Sequence, residues 1–316
     1  MTAQNNLFTI AFYNTENLFD TEDDPLTLDD DFTPKGRKHW NKKRYKNKIK
    51  KITAVIAQLG AKKTQMPPVI VGLVEIENSK VVRDLVQHKN LSKYDYSYIH
   101  HESSDERGID VALLYNKTYF EVIENKTFPL LLKTDEGKRD YTRDILLVKG
   151  KLNGELMYIF VNHWPSRRDG EEKTRHKRIK AAKLVQSIIA DIYQTDSNAK
   201  IIIMGDFNDE PTSESIKKTL VTDNFYNPME SLFDKGYGSL TYNGKWDLFD
   251  QIIFSKNFFQ KNAGTHSFLY AEVFNKKWLK VYKGKLKGSP FRTYIGPWYQ
   301  GGFSDHFPVY LFLEKN

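Results

Sequence analysis

Four short polar motifs border hydrophobic runs in this sequence. They are Glu75 after Val69–Val74, Asn162-His163 after Leu156–Val161, Asp206-Phe207-Asn208 after Ile201–Gly205, and Ser304-Asp305-His306 before Phe307–Leu313. Carboxylates, imidazoles and amides brought to one place suit a hard divalent cation and the hydrolysis of a phosphate ester. That chemistry needs the phosphate charge neutralised, a water oriented and the leaving oxygen assisted. Runs rich in Val, Ile and Phe read as buried strands, and polar residues at the ends of several strands converge on one edge of a sheet.

A carboxylate that closes a buried strand, as Glu75 does, has no packing reason to be there but a good one as a Mg²⁺ or Mn²⁺ ligand. The plain alternative is an ion pair or a helix cap, with Asn78 or Ser79 capping the next helix. Extended alternation sends Asp206 and Asn208 to one side, where they would orient a water and touch a phosphate oxygen, and Gly205 would leave room for the ligand. An Asx turn leading into Pro211 is the alternative. His163 precedes Trp164-Pro165-Ser166-Arg167-Arg168, and the Ser166 hydroxyl and Arg167 guanidinium suit phosphate. In the last motif Asp305 could bind metal while His306 acts as general base, provided a carboxylate orients the ring. Asp250, immediately before the run Gln251–Phe254, is the candidate orienter, with Asp247 as competitor. A turn capping the final strand is the alternative for this triplet.

Eight runs read as strands: Leu7–Tyr13, Val69–Val74, Ile109–Tyr115, Ile145–Lys149, Leu156–Val161, Lys200–Met204, Gln251–Phe254 and Pro308–Leu313. Apolar residues at helical spacing predict helices over about Trp40–Leu59, Ser79–His88 and Arg178–Tyr193. Strands outnumber helices, which suggests packed sheets with helices outside. The motifs run from end to end, so if they form one site, residues 1–316 are a single domain.

The chain has 316 residues, 40% hydrophobic and 28% charged, with no cysteine. Disulfides, thiolate metal sites and a cysteine nucleophile are excluded. No apolar stretch reaches the roughly 20 residues that span a bilayer, so no stable membrane insertion is expected. No signal peptide is visible at the start, which makes cytoplasmic the default expectation with secretion left open. A monomer is expected. The net charge of +8 is unevenly laid out: Glu16–Asp31 holds eight acids and no Lys or Arg, while Lys35–Lys51 carries ten basic residues. A second acid-free stretch, Asn275–Ser304, is also lysine-rich. Such runs steer polyanions or simply coat a solvated surface.

Taken in order, the motifs resemble the endonuclease/exonuclease/phosphatase superfamily, the deoxyribonuclease I-like group, in a bacterial subgroup. The resemblance spans Phe8 to Leu313 and implies an α/β (α+β) fold, a four-layer αββα sandwich of two mixed β-sheets with outer helices. It implies that Asn14, in Phe12-Tyr13-Asn14-Thr15-Glu16-Asn17-Leu18-Phe19, touches phosphate or metal-bound water, and that Glu75, Glu16 and Asp305 serve the metal. It further implies catalytic roles for His163, Asp206, Asn208 and the pair Asp250 and His306, with Arg143 on the phosphate. A second histidine-orienting glutamate has no clear counterpart; Glu102 and Glu106 are candidates. The implied activity is divalent-metal-dependent phosphoester hydrolysis, with Mg²⁺ or Mn²⁺ as cofactor. Nucleic acid is the leading substrate; inositol phosphate, a phospholipid headgroup or another small phosphate ester is the alternative. A non-catalytic binding module would be betrayed by a missing core residue, and none is clearly missing. Two segments remain outside the motifs, from Asp20 to Gly36 and from Pro290 to Gly302. Arg292, Tyr294, Trp298 and Tyr299 in the second could stack on bases or sugar, or anchor an ordered loop.

Overall fold

The computed structural model describes residues 6–316. Twelve strands carry the fold: β1 (Leu7–Leu18), β2 (Ile70–Ile76), β3 (Tyr96–His100), β4 (Asp110–Asn116), β5 (Phe120–Phe128), β6 (Ile145–Leu152), β7 (Glu155–His163), β8 (Ile201–Asp206), β9 (Phe225–Tyr226), β10 (Asp250–Ser255), β11 (His266–Val273) and β12 (Val309–Lys315). They form two six-stranded sheets, ordered β11-β12-β1-β2-β4-β3 and β9-β10-β8-β7-β6-β5. The inner faces share one apolar core, in which Ile10, Phe12 and Ile70 meet Val161, Ile202 and Met204. Helices cover the outer faces, which completes the expected sandwich.

The eight runs read as strands are the eight interior strands, and the four edge strands β3, β5, β9 and β11 were missed. An edge strand buries less of itself and need not be apolar: in β5 only Phe120 is fully buried. Helix α1 (Lys42–Ile56) starts at Asn41, whose side chain accepts from the Lys43 and Arg44 amides at 3.1 and 3.2 Å. Asn78, not Ser79, caps helix α2 (Ser79–Gln87) by accepting from the Val81 amide. Helix α3 (Glu171–Thr195) begins well before the predicted Arg178, because its first two turns bury Thr174 and Arg178 rather than apolar side chains. Its apolar stripe, including Ala182, Val185 and Ile189, packs on the second sheet through Phe160, Ile201 and Ile203. No helix among the described residues is long and apolar enough to cross a membrane.

Each sheet contains one parallel pair, β1 with β2 and β7 with β8, flanked by antiparallel neighbours. Clefts form at the carboxyl ends of parallel strands. Asn14 and Glu75 lie at those ends in the first sheet, His163 and Asp206 in the second. The antiparallel neighbours deliver the start of β10, with Asp250, and the approach to β12, with His306, to the same edge.

Candidate active site

The edge is drawn together by Asn14. Its Nδ2 donates to Asp206 Oδ2 at 2.9 Å and to Glu75 Oε1 at 3.2 Å, so one amide ties the two sheets across the cleft. Glu75 Oε2 accepts the Asn17 amide at 2.7 Å, and Thr15 Oγ1 donates to the Val74 carbonyl at 2.9 Å. Glu16, Asn17 and Glu75 adopt left-handed backbone with φ of 54°, 49° and 60°. Non-glycine residues in that region cost of order 1–3 kcal/mol each and persist where their surroundings hold them, commonly at functional sites. Here they break the β1–β2 and β2–β4 registers just past Asn14 and Val74, turning the Glu75 side chain into the cleft.

His306 and His163 flank Asp206, each with Nε2 3.9 Å from Asp206 Oδ2. His163 Nε2 also lies 4.0 Å from Glu75 Oε1. His306 Nδ1 is 2.6 Å from Asp250 Oδ2, so Asp250 rather than Asp247 is its partner. Burial opposes charge on His306, but Asp250, Asp206 and Asp305 outweigh it and hold its pKa well above the usual value. Burial, with Asp250 behind it, pushes Asp206 up to about 6 against the lowering effect of His306. His163 goes the other way, held well below its usual value by burial and by the cations Arg143, Arg107 and His306. The two imidazoles thus sit in opposite electrostatic environments: the carboxylates favour protonated His306, and burial with the nearby cations favours neutral His163.

Several side chains do not stand where the sequence put them. Both Glu16 carboxylate oxygens are engaged: the Thr293 and Tyr294 amides donate to it at 2.6 and 3.3 Å, and Lys48 and Arg292 lie at 3.5 and 3.7 Å. It anchors the 290–303 segment and does not offer itself to a metal. Asn208 is not on the Asp206 side of an extended strand, because β8 ends at Asp206 and Asn208 turns to φ 50°. Its amide donates to Asp206 Oδ1 at 3.0 Å, the Asx turn, and its side chain donates to the Trp164 carbonyl at 2.9 Å. Gly205 makes room for a neighbouring strand, not a ligand: an added Cβ would lie 2.5 Å from the Asn162 carbonyl oxygen. Arg167 is held by Asp209, Glu210 and Glu171, and Ser166 is exposed beside it, so neither is aimed at the cleft as a phosphate contact. Arg143 pairs with Asp105 at 3.1 Å and donates to the Trp164 carbonyl at 2.8 Å, leaving its buried Nε without a partner. Neither Glu102 nor Glu106 orients His163, whose Nδ1 is buried and has no hydrogen-bond partner among the described residues.

Asp105 and Asp209 were not singled out from the sequence, although both are buried and both hold guanidiniums behind the cleft. No local signal marks them, because their partners are distant in the chain.

Atoms of Asp206, Asp250 and His306 lie within 4.8 Å of one another, a spacing compatible with a metal. In that set Asp250 is already taken up by His306, at 2.6 Å. Glu75 fits a cation better. Each of its oxygens accepts a single N–H bond, it keeps 15% side-chain exposure, and it faces Asp206 through Asn14. Asp305, 27% exposed and bound by Arg292, is the second carboxylate open to the cleft. Oxygen donors such as these suit a hard divalent cation, and buried His163 and His306 stand beside them.

Residues 9–315 match the Endonuclease/Exonuclease/phosphatase family, and the chain belongs to it. It is a hydrolase acting on phosphate esters. An endonuclease/exonuclease/phosphatase family protein from Bacteroides thetaiotaomicron is similar at TM-score 0.62 and 18% identity, covering 99% of each chain. The mannosyl-6-phosphatase of the same organism is similar at TM-score 0.59 and 18% identity, over 97% of this chain and 99% of that one. A humanized TDP2 of D. rerio is similar at TM-score 0.61 and 14% identity, over 98% of this chain and all of the other. No curated protein matches the sequence.

Proposed function

We propose that this chain hydrolyses phosphate esters with a divalent cation, Mg²⁺ or Mn²⁺, held by Glu75 and Asp305. The observation that carries the reading is the cluster in which Asn14, Glu75, His163, Asp206 and the Asp250–His306 pair share one strand edge. When bound, the cation would polarise the phosphate and offset its charge. Asp206 and His306, 3.9 Å apart, hold the attacking water between them while Asp250 fixes the ring through Nδ1. With part of the negative charge that favours protonated His306 offset by a cation beside Asp305, Nε2 is free to take the water's proton. Asn14 Nδ2 and the neutral His163 ring at Nε2 face the developing negative charge as hydrogen-bond donors. Arg143 adds positive charge behind His163. Asn208 shapes the turn that aims Asp206.

The substrate is a nucleic-acid phosphodiester or a small phosphate ester. Structural neighbours are of both kinds: one solved structure is D. rerio TDP2 with a single-strand DNA product, another the mannosyl-6-phosphatase. One observation weighs toward the small ester. Within the Lys35–Lys51 stretch, Lys38, Arg44, Lys48 and Lys51 contact the 293–303 segment, by bonds to Gly296, Thr293, Phe303 and Gly301 or by stacking on Tyr299. Much of what reads as a polyanion track is a latch. The test is a metal-supplemented assay on supercoiled plasmid beside glucose 6-phosphate, with an EDTA control. Nicking that weakens steeply with salt marks a nuclease. Phosphate release with intact plasmid marks a small-ester phosphatase, and neither product sinks the reading.

A further inference from the structure

Beside the catalytic edge lies a cavity of about 190 Å³, of whose lining the mechanism uses only Asp305. Asn17, Phe32, Lys38, Arg292, Tyr294 and Asp305 line it, together with Glu16. It adjoins the reaction centre at two points: the Asn17 amide donates to Glu75, and Asp305 Oδ1 is 3.9 Å from His306 Nε2. Glu16, Asn17 and Asp305 belong to the motifs; the other walls come from the chain between β1 and α1, with Phe32 and Lys38, and from the segment before β12, with Arg292 and Tyr294. These are tied to each other where Lys38 Nζ donates to the Gly296 carbonyl at 2.7 Å and Tyr294 Oη donates to the Lys38 carbonyl at 2.9 Å.

The lining is chemically mixed in a specific way. Phe32 and Tyr294 supply aromatic surface, packed edge to face at 6.3 Å. Two cations, Lys38 and Arg292, are matched by two carboxylates, Glu16 and Asp305. Arg292 bridges both acids and leaves its Nε without a hydrogen-bond partner. A second phosphate would meet Glu16 and Asp305, and an apolar group would desolvate all four charges without compensation. A neutral ring bearing many hydroxyls satisfies every part: its hydroxyls accept from the cations and donate to Asp305, and its C–H face lies on an aromatic ring.

We propose that this pocket receives the sugar ring that carries the scissile phosphate, either a free hexose phosphate or the terminal sugar of a nucleotide. The proposal rests on the phosphoesterase reading and names the group next to the scissile phosphate. Direct binding tests it, with the purified full chain in EDTA so that no turnover occurs. The ligands are glucose 6-phosphate, 2′-deoxyadenosine 5′-monophosphate and glycerol 3-phosphate, the last carrying the phosphate without a ring. At least one ring ester binds about 10-fold tighter than glycerol 3-phosphate, and Lys38→Met or Tyr294→Ala removes most of that advantage. The preferred ring ester tells the sugar phosphate from the nucleotide. Equal affinity for all three, no measurable binding of either ring ester, or an advantage that survives both variants overturns the proposal. A chain that prefers ring esters here but never hydrolyses any ester with added metal would fail the phosphoesterase reading alone.

Discussion

Glu16 Oε2 lies 3.5 Å from Lys48 Nζ, with the two side chains only 6% and 1% exposed. The pair joins the end of β1 to α1, and through the Thr293 and Tyr294 amides it holds the segment that walls the cavity. Burial raises the Glu16 pKa and lowers that of Lys48, each against the attraction of the other.

Breaking such a pair leaves a buried charge uncompensated, at a cost of about 3–5 kcal/mol. Lys48→Met should therefore lower the urea midpoint sharply, and adding Glu16→Gln should recover part of the loss. Glu16→Gln alone should keep its affinity for Mn²⁺ by calorimetry. A tenfold or greater loss of that affinity would return Glu16 to the metal site.

Asp209 holds two guanidiniums, Arg167 Nη2 at 2.6 Å and fully buried Arg178 Nε at 2.8 Å, and accepts from Ser215 at 2.5 Å. This pins α3 to the loop beyond Asp206. Asp209→Ala should cost about 3–5 kcal/mol in denaturant unfolding, because it strands Arg178. A loss under about 1 kcal/mol would show that water replaces the carboxylate.

Glu155 accepts from the His266 amide at 2.6 Å, meets His266 Nδ1 at 2.7 Å and pairs with Lys200 at 2.8 Å. Burial works to raise its pKa, but the bonds from His266 and Lys200 prevail and lower it. A depressed carboxylate contributes stability that is present above its unfolded pKa and lost as pH falls through its folded pKa. The stability gap between wild type and Glu155→Gln should be widest near neutral pH and close on acidification below the ordinary glutamate range. A gap that widens toward acid would contradict the assignment.

Asn41→Ala removes the side-chain cap of α1 and should cost about 1 kcal/mol by thermal unfolding, with Asn41→Asp nearly neutral. Because α1 carries Arg44, Lys48 and Lys51 to the 293–303 segment, chymotrypsin should cut that segment, at Tyr294, Trp298 or Tyr299, faster in Asn41→Ala.

Legibility in the sequence tracks burial. Interior strands such as β1 and β8 are buried on both faces and announce themselves as apolar runs. Edge strands such as β5 carry charge and stayed hidden. Glu75, His163, Asp206 and His306 were readable because polar residues at the ends of such runs demand a reason. Asp250 was readable because it opens one. Glu16, Asn208 and Arg167 were misplaced for a different cause. Their side chains are claimed by partners such as Thr293, Trp164 and Glu210, from 43 to 277 residues away, which no local pattern encodes. The left-handed backbone at Glu16 and Asn208 also defeats any argument from strand alternation.

The central claim is metal-assisted hydrolysis at Asp206 and His306. Its most direct test is the initial rate of bis(p-nitrophenyl) phosphate and p-nitrophenyl phosphate hydrolysis against Mn²⁺ concentration, for wild type, Asp206→Asn and His306→Ala. Wild type should turn over only with the cation, and each variant should fall by about 100-fold or more with its fold intact by circular dichroism. Hydrolysis that survives EDTA, or a variant that keeps near-wild-type turnover, would contradict the account.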